Sequence, residues 1–308
     1  MSHLSPTHQH QRRDAGFSLP ELLVSLLVLS VIIGTVTQLS MTMSNGQRTM
    51  WNRTQMHSSV RGAIALLQQE VGQAGLVALP APVTLSSAVA VGTQNVSVSS
   101  AAGMFVGEKL VIGTGLVLET VIVSALNTST NQFTATFTKA HAAGEAVAVL
   151  GGFAQGIIPP SLANGSTATV LKLFGDVNDD GQMVYVEYTC SAVTGRLSRN
   201  MMAWNATSKP AITTANILLS NVVANPGGAP CFSYQTEVVF PNTYVIAIAV
   251  TLSVQTQDID PVTRQFQVET KTLLNVSPRN VFNTWQLASM LDSSRIQPIP
   301  PSVLVLIQ

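Results

Sequence analysis

The sequence predicts an α+β chain: a long N-terminal helix packed on an antiparallel β-sheet head, with a small all-β module inserted between them. Three observations predict it. Residues 17–43 carry no charge except Glu21 and are otherwise rich in Leu, Val and Ile. Farther on, Met56, Val60, Ala63, Leu67, Val71 and Ala74 follow one another by three or four residues, the period of a helix with one apolar face. Beyond residue 80 the pattern changes to short β-branched runs separated by Gly, Asn, Ser and Pro, which reads as strands and turns.

The first element is long enough to cross a bilayer, since about 20 apolar residues suffice as a helix. Arg12 and Arg13 stand directly ahead of it, which places the short N-terminal side in the cytoplasm. A secretory signal would have a shorter apolar core and a small-residue cleavage site, and "QLSMTMSNGQ" offers none. A plain anchor leaves Glu21 unexplained. A carboxylate deep in a membrane helix costs about 2.5–3.5 kcal/mol and calls for a partner. No Lys or Arg lies within helical reach after Glu21. Cleavage after Gly16 would create one, the new amino group of Phe17.

Gly16-Phe17-Ser18-Leu19-Pro20-Glu21-Leu22-Leu23-Val24 resembles the type IV prepilin signature, a short basic leader followed by Gly-Phe-Thr-Leu-x-Glu-Leu. The resemblance implies a prepilin peptidase that cuts between Gly16 and Phe17 and methylates the Phe17 amine. It also implies that Glu21 pairs with the N-terminal amine of a neighbouring subunit during assembly. Ser18 replaces the usual Thr. Pro20 falls in the first helical turn, where a missing N–H costs little. Three weaker likenesses, Leu66–Leu76, the hairpin Tyr188–Arg199 and the segment closing at Asn280, resemble minor pilins of the PilW type. The implied fold is pilin-like.

The domain boundaries follow from these patterns. Residues 1–16 form a leader and 17–79 the pilin helix, of which 17–43 is transmembrane. The helix has expected soft points at Gly34, Gly46 and Gly62 and an end near Gly72, Gly75 and Pro80. Residues 82–152, with "NVSVSS", "KLVIG", "LETVIVSAL" and "QFTATFT", form the inserted β module. Residues 153–282 form the head, where "QMVYVEYTC" and "RLSRN" make a hairpin and "TYVIAIAVTLSVQTQ" and "RQFQVETKTLLNV" make a second across the Asp258–Thr263 turn. Residues 283–308 are a C-terminal extension whose apolar end, Val303 to Ile307, reads as an edge strand, a segment packed on a partner, or a disordered tail.

Composition excludes several functions. Of 308 residues 46% are apolar and 10% charged, with 15 Lys+Arg against 15 Asp+Glu. A nucleic-acid partner is not expected, because no basic stripe exists to displace counterions. Cys190 and Cys231 are the two cysteines. If the chain beyond the apolar segment is exported, one disulfide is expected between them; the alternative is two buried thiols.

Asp176, Asn178, Asp180, Gly181 and Glu187 match the calcium-loop pattern D-x-[DN]-x-[DN]-G-x5-E, with Asp176, Asn178, Asp180, Gln182 and Glu187 as candidate calcium ligands. An acidic hairpin turn without metal gives nearly the same string. No other cofactor is expected. His141 reads as a structural turn residue. No nucleophile–base set, zinc spacing, P-loop or dinucleotide fingerprint occurs, so an enzyme is not expected.

The resulting expectation is a minor pilin that acts in assembly or initiation near the tip of a type IV pilus. Its implied partners are the prepilin peptidase, other minor and major pilins and the inner membrane. The head would be periplasmic before assembly and at the cell surface after it. Two alternatives remain open at this point: a minor pseudopilin of a type II secretion system, and a membrane-anchored periplasmic binding module.

Overall fold

Gly16 and residues 18–308 are described by the computed structural model of the chain. Leader residues 1–15 and the expected methylation site Phe17 lie outside the described residues. The first element, α1, runs Leu19–Gln73 without a break. Gly34, Gly46 and Gly62, expected as soft points, are taken up within it; each costs about 1 kcal/mol relative to Ala and interrupts no turn. The helix stops where expected. Gly75 adopts φ +82°, and a Cβ there would come within 3.0 Å of Val281 and 3.2 Å of the Phe153 carbonyl oxygen. The bare backbone is used instead, with Gly75 N–H donating to Phe174 O (2.9 Å) and Phe153 N–H to Gly75 O (2.8 Å).

The described residues form two compact units. One holds the chain up to Trp51 with Asp260–Gln265; the other holds Asn52–Ile259 and Phe266–Gln308. In the first, the side chains of α1 from Leu19 to Met43 are exposed all round, and Thr49 Oγ1 donates to Asp260 Oδ1 (3.2 Å).

The second unit contains the latter part of α1, with Met56, Val60, Ala63, Leu67 and Val71 buried. After it come β1 (Val83–Thr84), β2 (Gly92–Ser97), β3 (Lys109–Ile112), β4 (Glu119–Ile122), β5 (Ala125–Asn127), β6 (Gln132–Phe137) and β7 (Ala146–Val149). These pair as two small sheets, β1-β7-β3-β4 and β2-β6-β5. Leu110, Ile112, Phe133 and Phe137 fill a core of their own between Val83 and Val147. A bridge between Leu76 and Gly152 brings the two ends of this excursion together, so the module leaves and rejoins the chain at one place.

The head continues with β8 (Gly152–Phe153), β9 (Val170–Gly175), β10 (Val184–Ser191), β11 (Arg196–Ala203), β12 (Ile217–Ser220), β13 (Val222–Val223), β14 (Phe232–Val239), β15 (Asn242–Gln255) and β16 (Val268–Val276). The hairpin β10–β11 pairs from Val184↔Ala203 to Ser191↔Arg196, flanked by β9 and β12. The long strand β15 pairs with β14 and β13 along its length and with β16. Alternation does the sorting in β10: Tyr185, Val186, Tyr188 and Cys190 are buried, and Leu171, Leu173, Val186 and Tyr188 meet Leu67 and Val71 of α1 in one core. Cys190 is bonded to Cys231 (S–S 2.05 Å), tying β10 to the approach to β14. With a sequence separation of 41, that cross-link is worth about 4 kcal/mol in the loop-entropy account.

The tail differs from expectation. Helix α2 (Arg279–Ser289) leads to β17 (Ile296–Gln297), which pairs parallel with β8, and to α3 (Pro301–Ile307). The apolar end is therefore a helix rather than an edge strand, and it packs on its own chain. Pro301 pre-sets the first turn, and Val303, Leu306 and Ile307, at spacings of three and one, are buried with Phe105, Phe174, Tyr185 and Trp204. Lys172 Nζ donates to Ile307 O (2.9 Å) at the helix's C-terminal end, where a cation is favoured. Gln297 fastens the tail to the module: its amide donates to Lys109 O (2.9 Å) and accepts from Lys109 N–H (2.9 Å).

Candidate functional site

The N-terminal half of α1 has the chemistry of a segment meant to lose water. Its polar side chains are few, and the hydroxyls turn inward along the backbone. Ser25 donates to Glu21 O, Ser30 to Leu27 O, Thr35 to Ile32 O, Thr37 to Ile33 O and Thr42 to Gln38 O, all at 2.7–2.9 Å. What faces outward is hydrocarbon, with the backbone satisfied within the helix, as a bilayer or an apolar helix bundle requires. The helix is long and apolar enough to cross a membrane, and none of its most apolar stretch is buried.

Glu21 is the exception in this surface. It lies in the first turn, where the positive end of the helix dipole favours an anion. It is exposed, and among the described residues its carboxylate has no partner. Gly16, three residues before Leu19, is exposed and outside the helix. The Gly16–Phe17 bond expected to be cut thus has one side described, and it lies in non-helical chain.

The structure brings together two polar clusters in the second unit that sequence reasoning missed. Glu70, 1% exposed, sits on the buried face of α1. Its carboxylate accepts from Arg199 Nε (2.9 Å) and Nη2 and from the Tyr188 hydroxyl. Tyr188 and Arg199 are cross-strand neighbours in β10–β11, so the hairpin presents both groups to one glutamate. Desolvation, then the Glu70 charge, pushes the Tyr188 hydroxyl well above its ordinary range. The cluster welds the helix to the sheet.

The second cluster closes the module. His141, 3% exposed, has Nδ1 2.7 Å from Glu145 Oε2 and Nε2 2.8 Å from Glu119 Oε1. Both ring nitrogens face carboxylate oxygens, which only the imidazolium can satisfy, because the neutral ring has one N–H. Burial lowers the His141 pKa, but the hydrogen bonds and charges of Glu145 and Glu119 outweigh it and the net shift is upward. Glu119 also accepts from Thr138 N–H and Oγ1 and from Lys139 N–H. Against desolvation these bonds hold its carboxyl down to about 2. His141, expected in a turn, instead forms an antiparallel bridge with Val89 just ahead of the turn at 143–144, and it is held between two acids.

Four calcium candidates, Asp176, Asn178, Asp180 and Gln182, fall on the β9–β10 turn, and Glu187 lies within β10. Asp176 is buried, and its two carboxylate oxygens accept from Asp180 N–H (3.0 Å) and Gly181 N–H (2.8 Å). Asp180 Oδ1 accepts from Gln182 N–H (2.9 Å), and Gly181 takes φ +78°. Glu187, the last candidate ligand, instead pairs with Lys209 Nζ (3.0 Å) and accepts from Tyr185 OH (3.1 Å). Asn178 lies in the turn itself. Among the described residues, no cluster of three or more His, Cys, Asp or Glu is arranged to hold a metal ion. The turn's own N–H groups occupy Asp176, as in an Asx-rich hairpin.

Comparison with known proteins locates the strongest signal. Residues 11–37 match the prokaryotic N-terminal methylation motif. Comparisons with curated proteins and with solved structures give no match. The matched stretch contains Gly16, Phe17 and Glu21 and is the type IV prepilin signature. With the long apolar helix and antiparallel sheets behind it, it supports a type IV pilin-like protein, either pilin or pseudopilin. It implies processing by a prepilin peptidase and assembly with other pilins, fits a membrane-anchored chain, and points to a structural rather than catalytic role.

Proposed function

We propose that the chain is a minor pilin of the PilW type, cut between Gly16 and Phe17 and methylated on Phe17, which joins a type IV pilus through its N-terminal helix. The observation that carries this reading is Glu21, without a partner among the described residues, in the first turn of the exposed and otherwise apolar N-terminal part of α1. The amine of Phe17 on a neighbouring subunit would neutralise it in the bundle, where an unpaired carboxylate is costly. The β head, with its inserted module, adds surfaces that a filament core does not need. That favours a low-copy subunit working in assembly or initiation near the tip, with its head periplasmic before incorporation. The test is Glu21→Ala in the native host. The variant should be processed normally yet be absent from sheared filaments; incorporation at the wild-type level would remove the pairing role.

A further inference from the structure

Past the apolar stretch of α1, a second piece of chain is tied to the helix. From Leu19 to Ser44 every residue is exposed; Asn45, Gly46 and Thr49 are the first to be partly covered. Residues 260–265, from the turn that joins β15 to β16, belong to the same compact unit as this end of the helix. Asp260, 2% exposed, organises them. Its Oδ1 accepts from Thr49 Oγ1 (3.2 Å), Val262 N–H (2.7 Å) and Thr263 N–H (3.1 Å). Its backbone closes the turn, with Arg264 N–H donating to Asp260 O (2.8 Å) and Asp260 N–H to Gln265 O (3.1 Å). The turn is thus folded by one carboxylate and fastened by it to α1.

That attachment fixes what the turn must face. Thr49 lies six residues past Met43, about 9 Å along the helix axis. With 17–43 in the bilayer, the headgroup layer beyond the hydrocarbon is about 5–8 Å deep, so the turn stands at its outer edge. The outward side chains suit that layer. Val262 is 68% exposed and Trp51 71%. Arg48 and Arg264 are exposed, and among the described residues neither guanidinium has a partner. Indole rings settle at headgroup level, and a guanidinium on a long stem reaches down to phosphate and grips it bidentately. Residues 44–51 and 260–265 contain one acid, Asp260, already held by the turn; Asp258, exposed, precedes it. Scattered on a soluble face, a lone Val or Arg would call for no partner. Here the helix that carries them leaves the membrane at their level.

We infer that residues 260–265 form a foot on the phospholipid headgroup layer of the membrane that α1 crosses. Val262 and Trp51 enter the interface, and Arg48 and Arg264 bind lipid phosphates. The inference rests on the membrane-anchored part of the proposed function and concerns the chain before incorporation. The test uses the full chain, one copy per nanodisc of phosphatidylethanolamine and phosphatidylglycerol. A nitroxide is attached in turn through Val262→Cys, Leu29→Cys and Val193→Cys, the native disulfide leaving only the introduced thiol to label. Val193, 98% exposed in the β10–β11 turn, reports water, and Leu29 reports the anchor. Accessibility to a nickel chelate, read by EPR power saturation, should be at least threefold lower at 262 than at 193. Arg48→Glu with Arg264→Glu should restore it while the melting temperature holds. A label at 262 as open to nickel as that at 193, with 29 in the hydrocarbon, overturns the foot and leaves the anchor standing. A label at 29 open to nickel removes the anchor and the foot together. Shielding at 262 that the double variant leaves unchanged comes from protein rather than phosphate and overturns the inference too.

Discussion

Helix α1 contains two acidic residues, Glu21 and Glu70, and they solve the same problem in opposite ways. Glu70 lies on an apolar stripe that the chain itself covers, and Arg199 and Tyr188 meet its carboxylate there. Glu21 lies in an apolar surface that nothing in the described chain covers, and among the described residues its carboxylate has no partner. The backbone is the same helix. What differs is where the apolar residues point: one stripe in the latter part, all directions in the first. An apolar surface with a paired acid is a finished core; the proposed assembly role makes the one with an unpaired acid half of an interface.

The comparison can be broken at several strengths. Glu70→Ala should cost about 3–5 kcal/mol, because it leaves the Arg199 guanidinium partly buried without its carboxylate. Chemical denaturation of the full chain would show it, and Glu21→Ala in the same experiment should leave stability within about 0.5 kcal/mol. A loss on Glu21→Ala as large as that on Glu70→Ala would mean the first half has an internal partner. Next comes a matched pair of truncations. Leu67→Ala, at a site 1% exposed, should cost about 3 kcal/mol through the cavity it leaves. Leu29→Ala, in the exposed half, should cost almost nothing in the head and act on membrane partition instead.

A smaller effect is expected in the module as pH rises. His141 has its pKa raised in the fold, so its contribution is complete below the unfolded value of 6.5 and fades as pH climbs through the raised one. Buried Glu108 acts in the same direction. Desolvation, only partly offset by the Phe105 N–H, raises its pKa from 4.5 to about 8, so the folded state holds a proton that alkali removes. Between pH 6 and pH 9, once the intrinsic base-catalysed rate is divided out, hydrogen-exchange protection in residues 83–149 should fall while that of β14–β16 stays level. A uniform change across both would sink this account. The smallest effect is calcium removal. Because the Asp176 oxygens are already held by backbone N–H groups, a chelator should leave the melting curve unmoved. A fall of several degrees on chelation would restore the metal loop.

Where sequence reasoning succeeded, the cause was local. The helix announces itself by composition and then by period, the hairpins by alternation around Gly195 and the Asp258–Thr263 turn, and the disulfide by there being only two cysteines. Glu70 with Arg199 was hidden because 129 residues separate them. One signal was present: Glu70 falls three after Leu67 and one before Val71, inside the apolar stripe, where a lone acid requires a partner. His141 and Glu145 are four residues apart and could have been paired by eye; Glu119 could not. An edge strand is one of three readings of Val303–Ile307, beside packing on a partner and a disordered tail, because β-branched and aliphatic residues favour strands. Pro301 at the helix start and packing against Phe174 and Trp204 override that preference.

The central claim is that Glu21 waits for an amine made by cleavage. It is tested most directly by the intact mass and N-terminal peptide of the protein isolated from its native membrane. The account predicts a chain that begins at N-methylated Phe17. A chain that keeps residues 1–16, or one cut beyond residue 40, would contradict it and leave Glu21 in need of another partner.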